Sequence, residues 1–486
     1  MTTNTHTFLK EGFFVKKFKK VLALSLAAAM GLSLVACNGN ANTTTSAPGG
    51  DNTTATDDQS TDEQKPSGGG DFYIYVWNDE FPKLMKNYMP GFTANSDLTG
   101  GTMEDGTNIH FVTNESKDMK YQTELDKALQ GGSQVDMFLV EADYATKYTS
   151  AEANVAMDVK DLGITDDDLA NMYSYAKNIV TDTNGVTRGV SWQATPGFFA
   201  YRKDIAQEVL GVSDSADVQA KISNWDDFTA VAKQMKDKGY YMVSDYTEGS
   251  RNFNAKRSTP WVKDNVVSVP KEIDEWTDMA KGWYDNGYMH GGNNFAGDGE
   301  WGADMKEDGK AFGYFACTWY LNFSMKPQIT TDPTSEDYKW GVCQGPSAWY
   351  WGGTWICASS TCSNTQLAYD IMYSMTCDVD IMKEIASKEL NFANNKKAME
   401  EFAKEFTGNE TFDWLDFGDD NYFTMCIEFA DAIEVDVNMM TQYDQIIESY
   451  QNYAGEYFNG AIDKETMLNN FYTEITEKYQ ELSRPE

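Results

Sequence analysis

Carboxylates and indoles gather where extended runs end. Phe72-Tyr73-Ile74-Tyr75-Val76 is aromatic and β-branched, and Trp77, Asn78 and Glu80 follow it at once. The apolar run 135–140 delivers Glu141 and Asp143. The run 311–317 leads into Thr318-Trp319-Tyr320, and Gln193 precedes a Pro-Gly pair. Trp349 and Trp351 flank Tyr350; in an extended chain they share one face and Tyr350 takes the other. Two kinds of chemistry suit such a set. Indole rings stack on the CH faces of a pyranose while carboxylates and amides hold its hydroxyl rim, giving a mostly aromatic site with few fixed polar groups. Those pairings make it selective, because an analogue without a hydroxyl leaves a buried group unsatisfied. Alternatively, Glu80 and Glu141 form the acid–base pair of a glycoside hydrolase. No Ser-His-Asp order or His-Glu-x-x-His motif accompanies them. The acidic run Thr165-Asp166-Asp167-Asp168 lacks the Gly and distal Glu of an EF-hand and reads as a helix N-cap with an acidic first turn. No catalytic residue, metal or cofactor is expected.

These residues need a layered scaffold. Strands are predicted at 72–77, 109–112 and 135–140, with helices between them through Leu84 and Met85 and through Tyr121, Leu125 and Leu129. Alternation of this kind predicts an α/β sheet whose ligands sit beyond the carboxyl ends of its strands. Asn224-Trp225-Asp226-Asp227 caps a further helix, and Ile273, Trp276, Met279 and Trp283 stripe another. The chain is mostly helical from Gln366 onward, interrupted at 412–418. The segments 194–198 and 346–353 read as crossings between two bodies.

The start of the chain describes delivery. Lys16, Lys17, Lys19 and Lys20 precede an apolar run, 21–35, of 15 residues, short of the roughly 20 needed to span a bilayer comfortably. That is a secretory signal. Leu34-Val35-Ala36-Cys37 resembles the bacterial lipobox, which implies cleavage before Cys37 and a lipid anchor on it. Residues 38–70 are polar and end in Pro66-Ser67-Gly68-Gly69-Gly70, a tether with a reach of roughly 30 Å. Residues 1–36 carry five Lys and one Glu; without them the balance is 34 basic against 74 acidic residues, a net of −40. Such a body repels nucleic acid, so no nucleic-acid partner is expected. Cys317, Cys343, Cys357, Cys362, Cys377 and Cys426 show no CxxC spacing, and only His110 and His290 lie beyond the signal, which excludes a mixed Cys/His zinc site. Export permits disulfides, while reduced cysteines pack well as small apolar residues; both states remain open.

The ordered series is familiar. After the lipobox come Val76-Trp77-Asn78-Asp79-Glu80-Phe81, Asp136-Met137-Phe138-Leu139-Val140-Glu141-Ala142-Asp143, Gln193-Ala194-Thr195-Pro196-Gly197 with Tyr201-Arg202, and Trp225-Asp226-Asp227-Phe228. With 312–319, these resemble the extracellular solute-binding proteins of carbohydrate ABC importers, the family of maltose-binding protein, over 71–486. The resemblance implies a type II periplasmic-binding-protein-like α/β fold, two-lobed and discontinuous in sequence. One lobe would hold 71–195 and 352–411, the other 196–351 and 412–486, after a signal at 1–36 and a lipidated linker at 37–70. It places Trp319, Trp77 and Glu141 at ligand-facing positions of the family; the sugar chemistry above adds Trp349 and Trp351 as stacking platforms and Asn78, Glu80, Asp143 and Gln193 as hydroxyl partners. It further implies a monomer outside the cell membrane, held by lipid on Cys37, binding a carbohydrate and docking on the membrane subunits of an ABC permease. A peptide or polyamine in the same fold, or a sensory role, are the other readings.

Overall fold

A computed structural model describes residues 69–292, 299–408 and 413–485. The signal, Cys37 and the tether lie outside the described residues. Among the described residues fourteen strands can be traced: β1 (Gly70–Val76), β2 (Phe92–Ala94), β3 (Gly100–Met103), β4 (Thr107–Thr113), β5 (Met137–Glu141), β6 (Val190–Ser191), β7 (Gly197–Arg202), β8 (Tyr241–Asp245), β9 (Val262–Lys263), β10 (Val266–Val267), β11 (Met289–Gly292), β12 (Ala311–Cys317), β13 (Trp340–Cys343) and β14 (Thr354–Ala358).

They build two main sheets. One has seven strands in the order β2-β3-β4-β1-β5-β14-β6, the other five in the order β11-β8-β12-β7-β13. In the first, β1 lies parallel to β4 and β5, while β14 runs antiparallel to β5 and β6. In the second, β8 lies parallel to β11 and β12, and β7 runs antiparallel to β12 and β13. The central strands β5 and β12 read as continuous apolar runs because both of their faces are covered; every residue of β12 is buried. The chain leaves the seven-stranded sheet after β6, builds the five-stranded sheet, and returns as β14.

Both passages run side by side. Pro196 bridges to Tyr350, the Gly197 amide donates to the Trp349 carbonyl at 2.7 Å, and the Thr195 hydroxyl donates to the Gly352 carbonyl at 3.1 Å. Gly197 is required here: a Cβ would lie 2.1 Å from Trp349 Cε2. Gly352 and Gly353 turn the returning chain at φ +67° and +109°, which side chains rarely adopt. The 413–416 segment follows the edge of β13, with the Asp416 amide donating to the Trp340 carbonyl at 2.8 Å. The helix Tyr422–Asp431 then packs Phe423 against Phe402 of Lys396–Glu405, within the apolar core that holds the seven-stranded sheet. The helices Ile446–Phe458 and Lys464–Lys478 pack with the five-stranded sheet through Ile447, Tyr450 and Phe471.

Local signals explain where helices begin. Asn224 accepts from the Asp227 amide, and Thr165 and Asp168 form a reciprocal capping box, so the acidic run there serves a helix start. All six described cysteines are free thiols, five of them buried.

Candidate functional site

A cavity of about 750 Å³ opens between the two sheets, at the carboxyl ends of their parallel strands. The seven-stranded side contributes Trp77 after β1, Glu141 and Asp143 after β5, and Gln122 from the helix Lys120–Gly131. The other side contributes the segment 246–252 after β8, Phe315 and Trp319 from the end of β12, and Glu448 and Lys478 from the last two helices. Trp349 and Trp351 come from the returning passage.

Every ring has its own setting. Trp77 is half-buried and meets Tyr121 edge-on at 5.3 Å; the Tyr121 hydroxyl is itself locked onto the Leu139 carbonyl at 2.7 Å. Trp319 is half-buried, donates from Nε1 to the Trp351 carbonyl at 2.9 Å and meets the Trp351 ring at 5.1 Å and 68°. The Arg251 guanidinium lies over the Trp351 ring, 4.7 Å from its centroid, and Tyr320 packs against the same indole at 5.6 Å. Trp349 is 1 % exposed and its Nε1 has no hydrogen-bond partner among the described residues. It lines the cavity, wedged over Gly197 and against Phe315.

The polar floor is a linked cluster. Arg251 donates to both carboxylate oxygens of Asp143, at 3.1 and 3.0 Å, and both side chains are mostly buried. Such bidentate pairs are the stronger, geometrically specific kind. Glu141 accepts the Asp143 amide at 2.9 Å. Burial, followed by the Asp143 charge, holds its carboxyl well above the usual carboxylate range. Glu248 accepts the Phe315 amide at 2.7 Å, and burial, then Asp245, raises it likewise. In both, burial shifts the balance toward the protonated form, which donates as well as accepts.

The structure brings Trp77, Glu141, Asp143, Trp319, Trp349 and Trp351 together around one space. It does not bring Asn78, Glu80 or Gln193 there. Asn78 accepts the Glu80 amide at 3.0 Å, and Glu80 sits in the first turn of the helix Glu80–Tyr88. Gln193 is buried in the passage and donates to the Thr354 hydroxyl at 3.1 Å. Glu80 and Glu141 therefore do not flank a shared cavity. Sequence reasoning missed Gln122, Glu248, Arg251 and Glu448. The strand β8, ending at Asp245, was the available signal for the second and third of these. Among the described residues no cluster of His, Cys, Asp and Glu could hold a metal ion, and no helix is long and apolar enough to cross a membrane.

With this geometry stands a family match: residues 102–413 fit the model of the bacterial extracellular solute-binding proteins. The chain belongs to that family. Solved structures share the fold. An extracellular solute-binding protein of family 1 superposes with a TM-score of 0.66 at 14% identity, covering 84% of this chain and 99% of that one. The ABC-transporter-associated binding protein of B. animalis subsp. lactis, in complex with β-1,6-galactobiose, gives 0.60 at 18%, covering 86% and 100%. The galacto-N-biose/lacto-N-biose I-binding protein of Bifidobacterium longum, bound to lacto-N-biose, gives 0.61 at 15%, covering 87% and 100%. No curated protein sequence matches the chain. This solute-binding protein thus has the two-lobed periplasmic-binding-protein-like fold, with its cavity between two sheets.

Proposed function

We propose that this solute-binding protein captures a sugar or oligosaccharide between lobes built on its two sheets and hands it to an ABC permease, without transforming it. The observation that carries this is the composition of the shared cavity: two half-buried indoles, Trp77 and Trp319, one from each side, with a polar floor of Asp143, Arg251, Glu141 and Glu248. Rings of that kind suit pyranose faces, and the floor suits hydroxyls, each of which both donates and accepts. The sugars held by the two bifidobacterial relatives support the ligand class. The lipobox at Cys37 and the tether 38–70 would keep the body at the outer face of the membrane, close to its permease. Lobe boundaries near residues 191–197 and 343–354, where the chain changes sheets, fit closure about two passages.

A specific observation favours one second reading. Glu141, Asp143, Glu248 and Glu448 all line the cavity, and a polyamine would suit that surplus of acid. One panel separates the two. The full chain is screened by thermal shift against neutral mono- and oligosaccharides and against polyamines; a ligand at 100 times its Kd stabilises by about 2.7 kcal/mol. A rise with a glycan, lost in Trp77→Ala and Trp319→Ala, is expected. A rise with polyamines alone would overturn the sugar assignment.

A further inference from the structure

The acids of the cavity differ in what neutralises them. Asp143 takes both prongs of the Arg251 guanidinium, at 3.1 and 3.0 Å. Glu248 is buried and accepts the Phe315 amide. Glu141 and Glu448 remain, one from the end of β5 and one from the first turn of the helix Ile446–Phe458 on the other wall. Glu141 feels Glu448, and both feel the Asp143 charge. Among the described residues neither has a cation of its own: the Arg251 charge reaches both, but its ion pair is with Asp143. Lys117 and Lys478 are exposed on the lining, and Lys478 is the weakest of the charges acting on Glu448. Burial, then Asp143, raises both Glu141 and Glu448, and a cation beside them would oppose that shift.

Hydrogen bonding points the same way. Gln122 is 2% exposed and Asn252 is 1% exposed. Gln122 donates from its amide to Gln445 Oε1 at 3.0 Å, and Asn252 donates to Ser347 Oγ at 3.2 Å. Gln122 Oε1 and Asn252 Oδ1 accept nothing among the described residues, although both side chains line the cavity. Buried acceptors are costly without a donor. On the same lining, Trp349 Nε1 is a donor without an acceptor. An ammonium brings a charge and several donors but accepts nothing, whereas a sugar hydroxyl does both. A polyamine would meet the acids but leave Trp349 Nε1 and the half-buried indoles without a counterpart. A neutral sugar would meet the indoles but leave Glu141 and Glu448 without a cation.

We propose that the solute is an amino sugar with an unacylated, protonated amine, alone or within a short oligosaccharide. Its ammonium lies between Glu141 and Glu448, and its rings lie against Trp77 and Trp319. This rests on the sugar reading above and narrows it. N-acetylation removes the charge, so the acylated sugar is discriminated against, because the two carboxyls then gain no partner.

The test uses the full chain and matched glycans that differ at one substituent: glucosamine, glucose and N-acetylglucosamine, each also as its β-linked disaccharide. Titration calorimetry at neutral pH gives the affinity of each. At least one free-amine glycan is expected to bind at least tenfold tighter than both of its neutral counterparts. That ratio is expected to collapse toward one in Glu141→Gln and in Glu448→Gln. Glu448 is exposed on its helix, so Glu448→Gln answers the question if Glu141→Gln does not fold. Neutral glycans that bind as tightly as the amines, or a preference that survives in the folded variants, would overturn the amino-sugar assignment while leaving the sugar reading in place. Binding of polyamines with no glycan bound would sink both.

Discussion

Gly197→Ala probes the joint on which the cavity depends. A Cβ at this position would lie 2.1 Å from Trp349 Cε2, 2.3 Å from Cδ2 and 2.5 Å from Nε1. Ordinary contact needs roughly 3.4 Å or more, so the indole or the strand must move by about 1 Å. Neither moves freely. The Gly197 amide is bonded to the Trp349 carbonyl at 2.7 Å, Gly197 is in register with Cys317 of β12, and the indole is stopped by Phe315. Overpacking of this kind costs about 1–3 kcal/mol. Spread over a body of this size, at about 2.1 cal/mol/K per residue, that lowers Tm by only about 1–3 °C. Urea unfolding followed by tryptophan fluorescence and by circular dichroism is therefore the better assay. Trp349→Ala alone should cost about 3–5 kcal/mol through lost burial and the void it leaves. In the double variant the new methyl enters that void, so the pair should cost about as much as Trp349→Ala by itself. The coupling energy is then about 1–3 kcal/mol, equal in size to the Gly197→Ala penalty. A Gly197→Ala protein within about 0.5 kcal/mol of the parent, or strictly additive costs in the double variant, would refute the wedge.

Two further outcomes are expected. Burial, with Asp79 and Glu389 nearby, pushes the Glu80 carboxyl up to about 7. The fold then binds a proton that the unfolded chain releases, so stability falls as pH rises from about 4.5 to about 7 and the penalty is complete above that window. Because Glu80 is partly exposed, Glu80→Gln should stabilise by about 1–3 kcal/mol at pH 8 and change little at pH 4; equal effects at both pH values in urea unfolding would contradict this. The six described cysteines are free, and burial pushes Cys343, Cys362 and Cys377 up to about 12. A thiol reagent at pH 8 should modify none of the six quickly until the chain is unfolded, and reductant should leave Tm unchanged; a Tm drop on reduction would reveal a disulfide worth about 2–5 kcal/mol.

Much of the scaffold is legible in local pattern. The runs at 72–77, 109–112, 135–140 and 311–317 fall on β1, β4, β5 and β12, Asn224 and Thr165 cap helices, and the Pro-Gly pair sits where the chain changes sheets. The alternation of Trp349, Tyr350 and Trp351 also holds: Trp349 and Trp351 line the cavity, while Tyr350 meets Tyr175 at 5.4 Å and the small space beside Arg257. Periodicity reports which face of a segment is apolar, and these features need nothing more.

Position at a strand end was a weaker guide. Glu141 and Asp143 follow β5 into the cavity, but Glu80 has already entered a helix, and Gln193 turns into the passage to satisfy Thr354. Trp351 illustrates a further limit. Its type suggests a stacking surface, yet the Arg251 guanidinium already lies over its ring and Trp319 and Tyr320 pack against it. Residue types by themselves determined an α/β body, the order of its first strands, and a stock of indoles and acids suited to a polyhydroxylated solute. Only tertiary structure decided that Asp143 meets Arg251, 108 positions away, and Gln122 meets Gln445, 323 positions away. The reason is physical: local pattern records what each segment must bury, whereas the partners of a charge are chosen by which distant loops the two sheets bring to the same gap.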